Sequence, residues 1–363
     1  MPPRNPCPPA SRSHFKRPTM STATAALRVG IAGLGRLGRR HAENLALHTP
    51  DCVLTAACSP VQAERAFAGA KLGVQKTYSD FNAFLRDPHV DAIVLVTPTS
   101  MHADQAIAAL QAGKHVFIEK PLALDVADCL RVEAAASARP DLIAMVGFVR
   151  RFDPSHARAF DSVQQGDIGR PFLVRSQTCD RLDPDGAFLA FAPTSGGIFM
   201  DCSVHDIDLA RWMLGNPKAT RAFASGTIAV HEGLAAMGDV DNGMAIVEFE
   251  GGARAVFYAS RTFLHGHEQH TEIIGTQGKL LIGQGAPRDH IVRSDGQGVR
   301  HQATGDFFER FSDAFRHELA AFVDACRRGA ISPLSLQDAT EATRIARAVT
   351  ASLHHGQPQD IAR

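Results

Sequence analysis

The chain has 363 residues, 45% apolar and 21% charged, which is the composition of a globular protein with room for two domains. Lysine plus arginine matches aspartate plus glutamate at 38 each, so no surplus basic surface is left for nucleic acid. No apolar run is long enough to span a bilayer, and seven scattered cysteines without a C-x-x-C argue against a disulfide framework or zinc site and for a reduced, cytoplasmic compartment.

Residues 1–26 are rich in Pro, Ser and Arg and lack the apolar stretch of a secretory signal. A basic, acid-free leader fits a transit peptide. The simpler expectation is a true start at Met20, with disorder ahead of the first strand.

Residues 27–32 read as a short apolar strand. It runs into Gly33-Leu34-Gly35-Arg36-Leu37-Gly38 and then a helix to about residue 48. This is G-x-G-x-x-G between a strand and a helix, the context a dinucleotide site requires. Gly33 permits the tight turn, Gly35 lets the backbone approach a pyrophosphate, and Gly38 lets the helix pack on the strand. Free N–H groups at the helix start then hold phosphate oxygens. The second strand, 52–58, should end in an acid that binds the adenosine ribose. Ser59 stands there instead. The missing carboxylate removes repulsion toward NADP, and Arg36, Arg39 or Arg65 could meet a 2′-phosphate. Alternatively, Ser59 bonds the NAD ribose. Both cofactors stay open, with NAD the one expected.

Strands and helices keep alternating. An apolar strand at 91–96 ends in Thr97-Pro98-Thr99-Ser100-Met101-His102, followed by a helix to about 113. The strand at 114–118 ends in Glu119-Lys120-Pro121; a helix near 125–138 and a strand near 142–146 complete the set. Ligands of open parallel sheets bind at the carboxyl ends of strands. Thr97, Pro98, His102, Glu119 and Lys120 all fall there. A lysine in such a place also reads as a solvated surface charge.

From about residue 147 the pattern changes. A helix at 154–165 and a strand at 171–178 precede a polar loop, 179–195, of a length that usually carries function or is disordered. Asp180, Arg181 and Asp183 in this loop could bond a polyol or only solvent. The break at Gly196-Gly197 is followed by Ile198, Val204, Leu209, Trp212 and Met213 at helical spacing, which predicts a buried helix from about Gly197. Asp201 and His205 are four apart, so they share one face. They form either a structural pair or part of a site, because an acid and an imidazole are costly to bury without partners.

After Gly215, strand-like runs at 221–230, 244–249, 254–262, 271–274 and 279–282 predict an antiparallel or mixed sheet. Its open face predicts a homo-oligomer. The run His265-Gly266-His267-Glu268-Gln269-His270 invites a metal, but it is not H-E-x-x-H and it interrupts strands. It reads as a substrate loop or a surface loop, and no metal is expected. Helices at 308–328 and 336–353 should pack back on the domains.

With these motifs in order, the chain resembles the glucose–fructose oxidoreductase/inositol dehydrogenase/rhizopine-catabolism (Gfo/Idh/MocA) family over about residues 27–354. The Glu119-Lys120-Pro121 run with a downstream Asp201-x-x-x-His205 is the specific part. Arg150-Arg151-Phe152-Asp153-Pro154-Ser155 and Gly238-Asp239-Val240-Asp241 look most like inositol 2-dehydrogenases. The resemblance implies an α/β fold: a Rossmann domain at 27–146, then a domain at 147–354 with a large open, mainly antiparallel sheet that forms dimers and tetramers. By position it implies a catalytic lysine at Lys120, a catalytic histidine at His205, and at Asp201 an acid touching substrate and histidine. It implies an arginine near nicotinamide and substrate at Arg150. Asp208 matches a frequent helix acid. His265 and His267 stand where family members carry a tyrosine-rich substrate loop, so the preferred polyol could differ.

Oxidising a secondary alcohol needs a base for the hydroxyl proton, a route for hydride to nicotinamide, and a dry site. His205 suits the base, Asp201 can orient it, and Lys120 can stabilise the alkoxide. The expected activity is NAD(P)-dependent oxidation of an inositol to its keto form. The alternatives are an NADP-linked sugar dehydrogenase and a non-catalytic NAD(P)-binding regulator, which would not need the Lys120, Asp201 and His205 set.

Overall fold

The computed structural model describes residues 25–283 and 292–361, so the expectations for residues 1–24 lie outside the described residues. Two large sheets lean on one continuous apolar core. No described helix is long and apolar enough to cross a membrane. The six cysteines among the described residues are free thiols.

The first sheet contains β1 (Leu27–Ala32), β2 (Cys52–Cys58), β3 (Lys76–Tyr78), β4 (Ala92–Leu95), β5 (His115–Glu119) and β6 (Ala144–Gly147). Their order is β3-β2-β1-β4-β5-β6, and every pair is parallel. β4 and β6 are buried at every residue, as strands covered by helices on both faces must be. The covering helices include α1 (Arg36–Leu47), α2 (Gln62–Leu72), α3 (Phe81–Leu85), α4 (His102–Gln111) and α5 (Val126–Ser137). The strand order reverses between β1 and β4, which opens a crevice at their carboxyl ends. Gly33 turns there with φ +90°, and a Cβ would lie 2.3 Å from the Val96 carbonyl oxygen. Only glycine fits both constraints.

α6 (Pro154–Gln165) opens the second half, with Asp153 capping it and Pro154 in its first turn. β7 (Pro171–Arg181) runs three residues past the predicted strand. The extension is held from both sides, by Glu268 at Cys179 and by Phe263 at Arg181. The helix expected from Gly197 is two pieces: a π-helical turn, Phe199–Ser203, and then α7 (Val204–Met213). Such turns concentrate at functional sites.

The second sheet continues with β8 (Ala219–Thr227), β9 (Asn242–Phe249), β10 (Arg254–Phe263), β11 (Glu268–Gly275) and β12 (Lys279–Ile282). β13 (Val292–Asp295) and β14 (Gly298–His301) form a separate hairpin that the sequence reading lacked. The order is β12-β11-β7-β10-β9-β8-β15, where β15 is Gln359–Asp360; only β7 and β10 pair in parallel. This is the mixed sheet expected. Its residues alternate cleanly: Ala222, Ala224, Ala245 and Val247 are buried, whereas Phe223, Met244 and Ile246 are 41%, 59% and 46% exposed.

Two helices close the fold. α8 (Ser312–Arg328) lies on α1; Phe311 separates it from the single turn Phe307–Arg310, so the predicted helix is interrupted. α9 (Leu336–His355) touches both α5 and β8 and so ties the two sheets together.

α8 carries Glu318, which is fully buried with neither carboxyl oxygen hydrogen-bonded among the described residues. His41 and Glu119 complete a tight buried cluster with it. Burial, and then the Glu119 charge, pushes the Glu318 carboxyl well above its ordinary pKa. The folded state therefore holds a proton that the unfolded state releases at about pH 4.5. That contribution to stability is complete below this pH and is lost as pH rises through the folded-state value. Glu318→Gln should therefore gain stability over wild type as pH rises above about 4.5 into the alkaline range. Melting curves across that range check this; a pH-independent difference would contradict it.

Candidate active site

The crevice at the carboxyl ends of β1 and β4 has the shape a dinucleotide needs. Gly35 caps the start of α1, and no side chain closes that helix end. A Cβ on Gly35 would meet nothing within 4 Å. The first-turn N–H groups therefore face open space at the positive end of the helix dipole, which fits a pyrophosphate. Gly38 packs so tightly that a Cβ would lie 2.1 Å from the Gly33 carbonyl oxygen. Leu34 is fully buried, Arg36 is exposed, and Leu37 is half-buried.

The strand ends are cross-braced. His102 is buried, with its two ring nitrogens each 2.9 Å from the carbonyl oxygens of Thr97 and Pro121. Burial lowers its pKa, so the ring is neutral and donates to one of them. Thr97 Oγ1 donates to Gln105 at 2.6 Å, and Pro98 is exposed at the rim. Glu119 is buried, 2.6 Å from His41 Nε2, and accepts the Lys120 backbone N–H at 3.0 Å. His102 and Glu119 thus hold the Lys120-Pro121 turn, whose peptide bond is cis, and they present no free group to a ligand.

Lys120 reaches out of the first sheet to the π-helical turn. Its Nζ donates to the Asp201 carbonyl at 2.8 Å and lies 3.5 Å from Asp201 Oδ1. The expected pairing of Asp201 with His205 does not form. The other Asp201 oxygen accepts from Arg261 Nη2 at 3.0 Å, and the described contacts of Asp201 include none with His205. The π turn is the physical reason, because it winds by more than four residues and breaks the register of an α-helical pair. Burial works against the Asp201 charge, but Lys120 and Arg261 outweigh it and hold the carboxyl below its ordinary pKa.

His205 stands one residue into α7 with Phe148 edge-on, ring centroids 6.0 Å apart. Its Nδ1 is enclosed and has no partner among the described residues. Burial, then the charges of Lys120 and Arg150, push its pKa well below the ordinary value. The imidazole is therefore neutral.

Arg150 is held inside the fold. It is 3% exposed, and its guanidinium is bound by Asp206 and by Thr178, each at 2.6 Å. Two of its N–H groups are so engaged, and its charge acts on the site. Arg151 likewise holds Asp208 at 2.5 and 2.8 Å, which makes that helix acid structural.

The loop residues divide. His267 is buried, its Nδ1 3.0 Å from Asp180 Oδ1, and its Nε2 has no partner among the described residues. Asp180 Oδ2 lies 3.9 Å from Cys202 Sγ, so this pair borders the π turn. His265 is exposed and faces Glu268 at 3.3 Å, away from that group. Arg181 is exposed, and Asp183 caps its own loop.

Arg261 and Asp239 were not singled out as site residues. Arg261 joins Asp201 to Asp239, and Asp239 in turn accepts the Ile198 N–H at 2.9 Å. The signal was available. Ala255, Phe257, Ala259 and Arg261 share the inward face of β10, and a charge at an inward strand position needs a partner.

Residues 27–148 match the family model described as an oxidoreductase family with an NAD-binding Rossmann fold. Residues 156–281 match the GFO/IDH/MocA C-terminal domain. A Bacillus subtilis protein named scyllo-inositol 2-dehydrogenase (NAD(+)) is 36% identical, over 92% of this chain and 96% of its own. A Thermotoga maritima myo-inositol 2-dehydrogenase is 34% identical, over 90% and 96%. The crystal structure of Lactobacillus casei scyllo-inositol dehydrogenase with bound NAD(H) and scyllo-inositol superposes with a TM-score of 0.90 at 34% identity, covering 93% of this chain and all of that one.

Proposed function

The chain belongs to the Gfo/Idh/MocA oxidoreductase family, and from that premise we propose that it oxidises one ring hydroxyl of an inositol to the ketone with NAD. The observation that carries this is the reach of Lys120 across the crevice to the Asp201 turn, one helical step from His205.

Bound NAD+ supplies the hydride acceptor. The N–H groups at Gly35 would hold its phosphates, and residues at the ends of β4 and β5 would border its nicotinamide half. Neutral His205 takes the proton of the substrate hydroxyl. The carbon–hydrogen electron pair leaves as hydride, and the carbon–oxygen double bond forms. Lys120 donates to the same oxygen and stabilises its developing negative charge. Asp201, fixed by Arg261, keeps the Lys120 ammonium in place and offers an oxygen to a neighbouring hydroxyl. The Asp180–His267 pair gives a second polar edge, suited to a ligand with many hydroxyls.

The test is reduced-nicotinamide absorbance with myo-inositol, scyllo-inositol and common aldoses, each with NAD and NADP. Turnover of an inositol with NAD is expected. Turnover of aldoses alone would make this a sugar dehydrogenase, and silence throughout would leave a dinucleotide-binding regulator.

The open face of the second sheet supports self-association. Phe223, Ile246 and Val256 are opposed across three strands, and Met244 and Tyr258 form the next row. A dimer or tetramer through this face would cover these exposed apolar side chains. Ile246→Lys with Met244→Lys should lower the mass seen by light scattering by half or more, roughly one subunit pair per broken contact. An unchanged mass would contradict this interface.

A further inference from the structure

β2 ends at Cys58 without the acid that normally reads the adenosine ribose, yet a carboxylate is delivered there by another route. Glu64, in the first turn of α2, folds back onto the strand end, and Ser59 Oγ donates to its Oε2 at 2.5 Å. Ser59 is 1% exposed and Glu64 half-buried, so the pair is held against the sheet. Ser59 Oγ also accepts the Val61 N–H at 3.1 Å, and Arg65 Nη1 binds the Ser59 carbonyl at 2.6 Å. Ser59 is thus tied at its hydroxyl and its carbonyl, and this fixes where the carboxylate stands.

Glu64 lines one cleft, of about 480 Å³, together with Gly35, Arg36, Arg39, Arg40 and Phe67. Gly35 is where the pyrophosphate would rest, so this cleft lies on the adenosine side of it. Four arginines stand near this place, each with a partner in the protein. Arg36 lies over the Phe307 and Phe308 rings, and Arg39 is stacked 4.8 Å over Phe67 and bonded to the Leu34 carbonyl. Arg40 pairs with Glu43, and Arg65 holds Ser59.

We infer that Glu64, braced by Ser59, is the acid that accepts the adenosine ribose hydroxyls and selects NAD over NADP. A ribose 2′-hydroxyl can donate to the free Glu64 oxygen. A 2′-phosphate at the same place would bring two anions together in a partly desolvated cleft. The selection that the β2 end lacks in sequence is restored by a residue five positions later.

This rests only on the dinucleotide-binding half of the proposed function, so it is tested without substrate. Calorimetric titration of the whole protein with NADH and with NADPH gives the ratio of their Kd values. Wild type should prefer NADH by about tenfold or more. Glu64→Gln, which keeps shape and removes charge, should cut that preference by about tenfold, chiefly by tighter NADPH binding. Ser59→Ala should cut it in part, by freeing the carboxylate from its brace. An unchanged ratio in Glu64→Gln, or a wild type that prefers NADPH, would overturn the inference. Loss of polyol turnover with the binding ratio intact would count against the proposed reaction alone.

Discussion

Lys120→Ala should lose about 10²–10³-fold in kcat while NADH binding stays within a few-fold of wild type. Lys120 sits where a strand of the nucleotide-binding sheet ends, and its Nζ is 2.8 Å from a carbonyl on a helix 81 residues later. The phosphate end of the dinucleotide cleft does not depend on that ammonium, because it is built by Gly33, Gly35 and Gly38. The chemistry does depend on it. Negative charge grows on the substrate oxygen as the proton leaves, and only a fixed cation there lowers the barrier without first having to reorganise. Lys120→Arg should recover little, because a planar guanidinium cannot fill the place of a point charge. Stopped-flow reduction of NAD with saturating inositol reads the chemical step. Near-normal rates in Lys120→Ala would remove the lysine from the mechanism.

His205→Ala should cost about 10²–10⁴-fold in kcat, the range for loss of a positioned general base. The pH profile separates this from a packing effect. Burial and the Lys120 and Arg150 charges hold the imidazole well below its ordinary value of 6.5. A base works in its deprotonated form, so wild-type kcat/KM should stay level as pH falls through about 6.5 and decline only below it. Arg150→Met removes one of these cations, so the acid limb should move upward. A limb at or above pH 6.5 in wild type, or none that His205→Ala abolishes, would show that another group takes the proton.

Much of this was legible in the sequence. The strand, glycine motif and helix from Leu27 onward give the cleft directly, because Gly33 and Gly38 have no room for a Cβ. The strand ends at Thr97 and Lys120 follow from apolar runs that stop abruptly. The contacts of Arg150 were not legible. An arginine before a helix carries no mark of the buried Asp206 that binds it, since that partner is 56 residues away. The Asp201–His205 pairing failed because a four-residue spacing presumes an α-helix, whereas Asp201 lies in a π turn and is bound by Lys120 and Arg261. Ser59 concealed a carboxylate for the same reason: Glu64 reaches the strand end only once α2 has folded back on it.

A crystal structure of the whole protein with NADH and scyllo-inositol tests the central claim most directly. One ring oxygen should lie about 2.6–3.2 Å from both Lys120 Nζ and His205 Nε2, with its carbon facing the nicotinamide ring. Lysine and histidine on different hydroxyls, or an imidazole with no ligand before it, would contradict it.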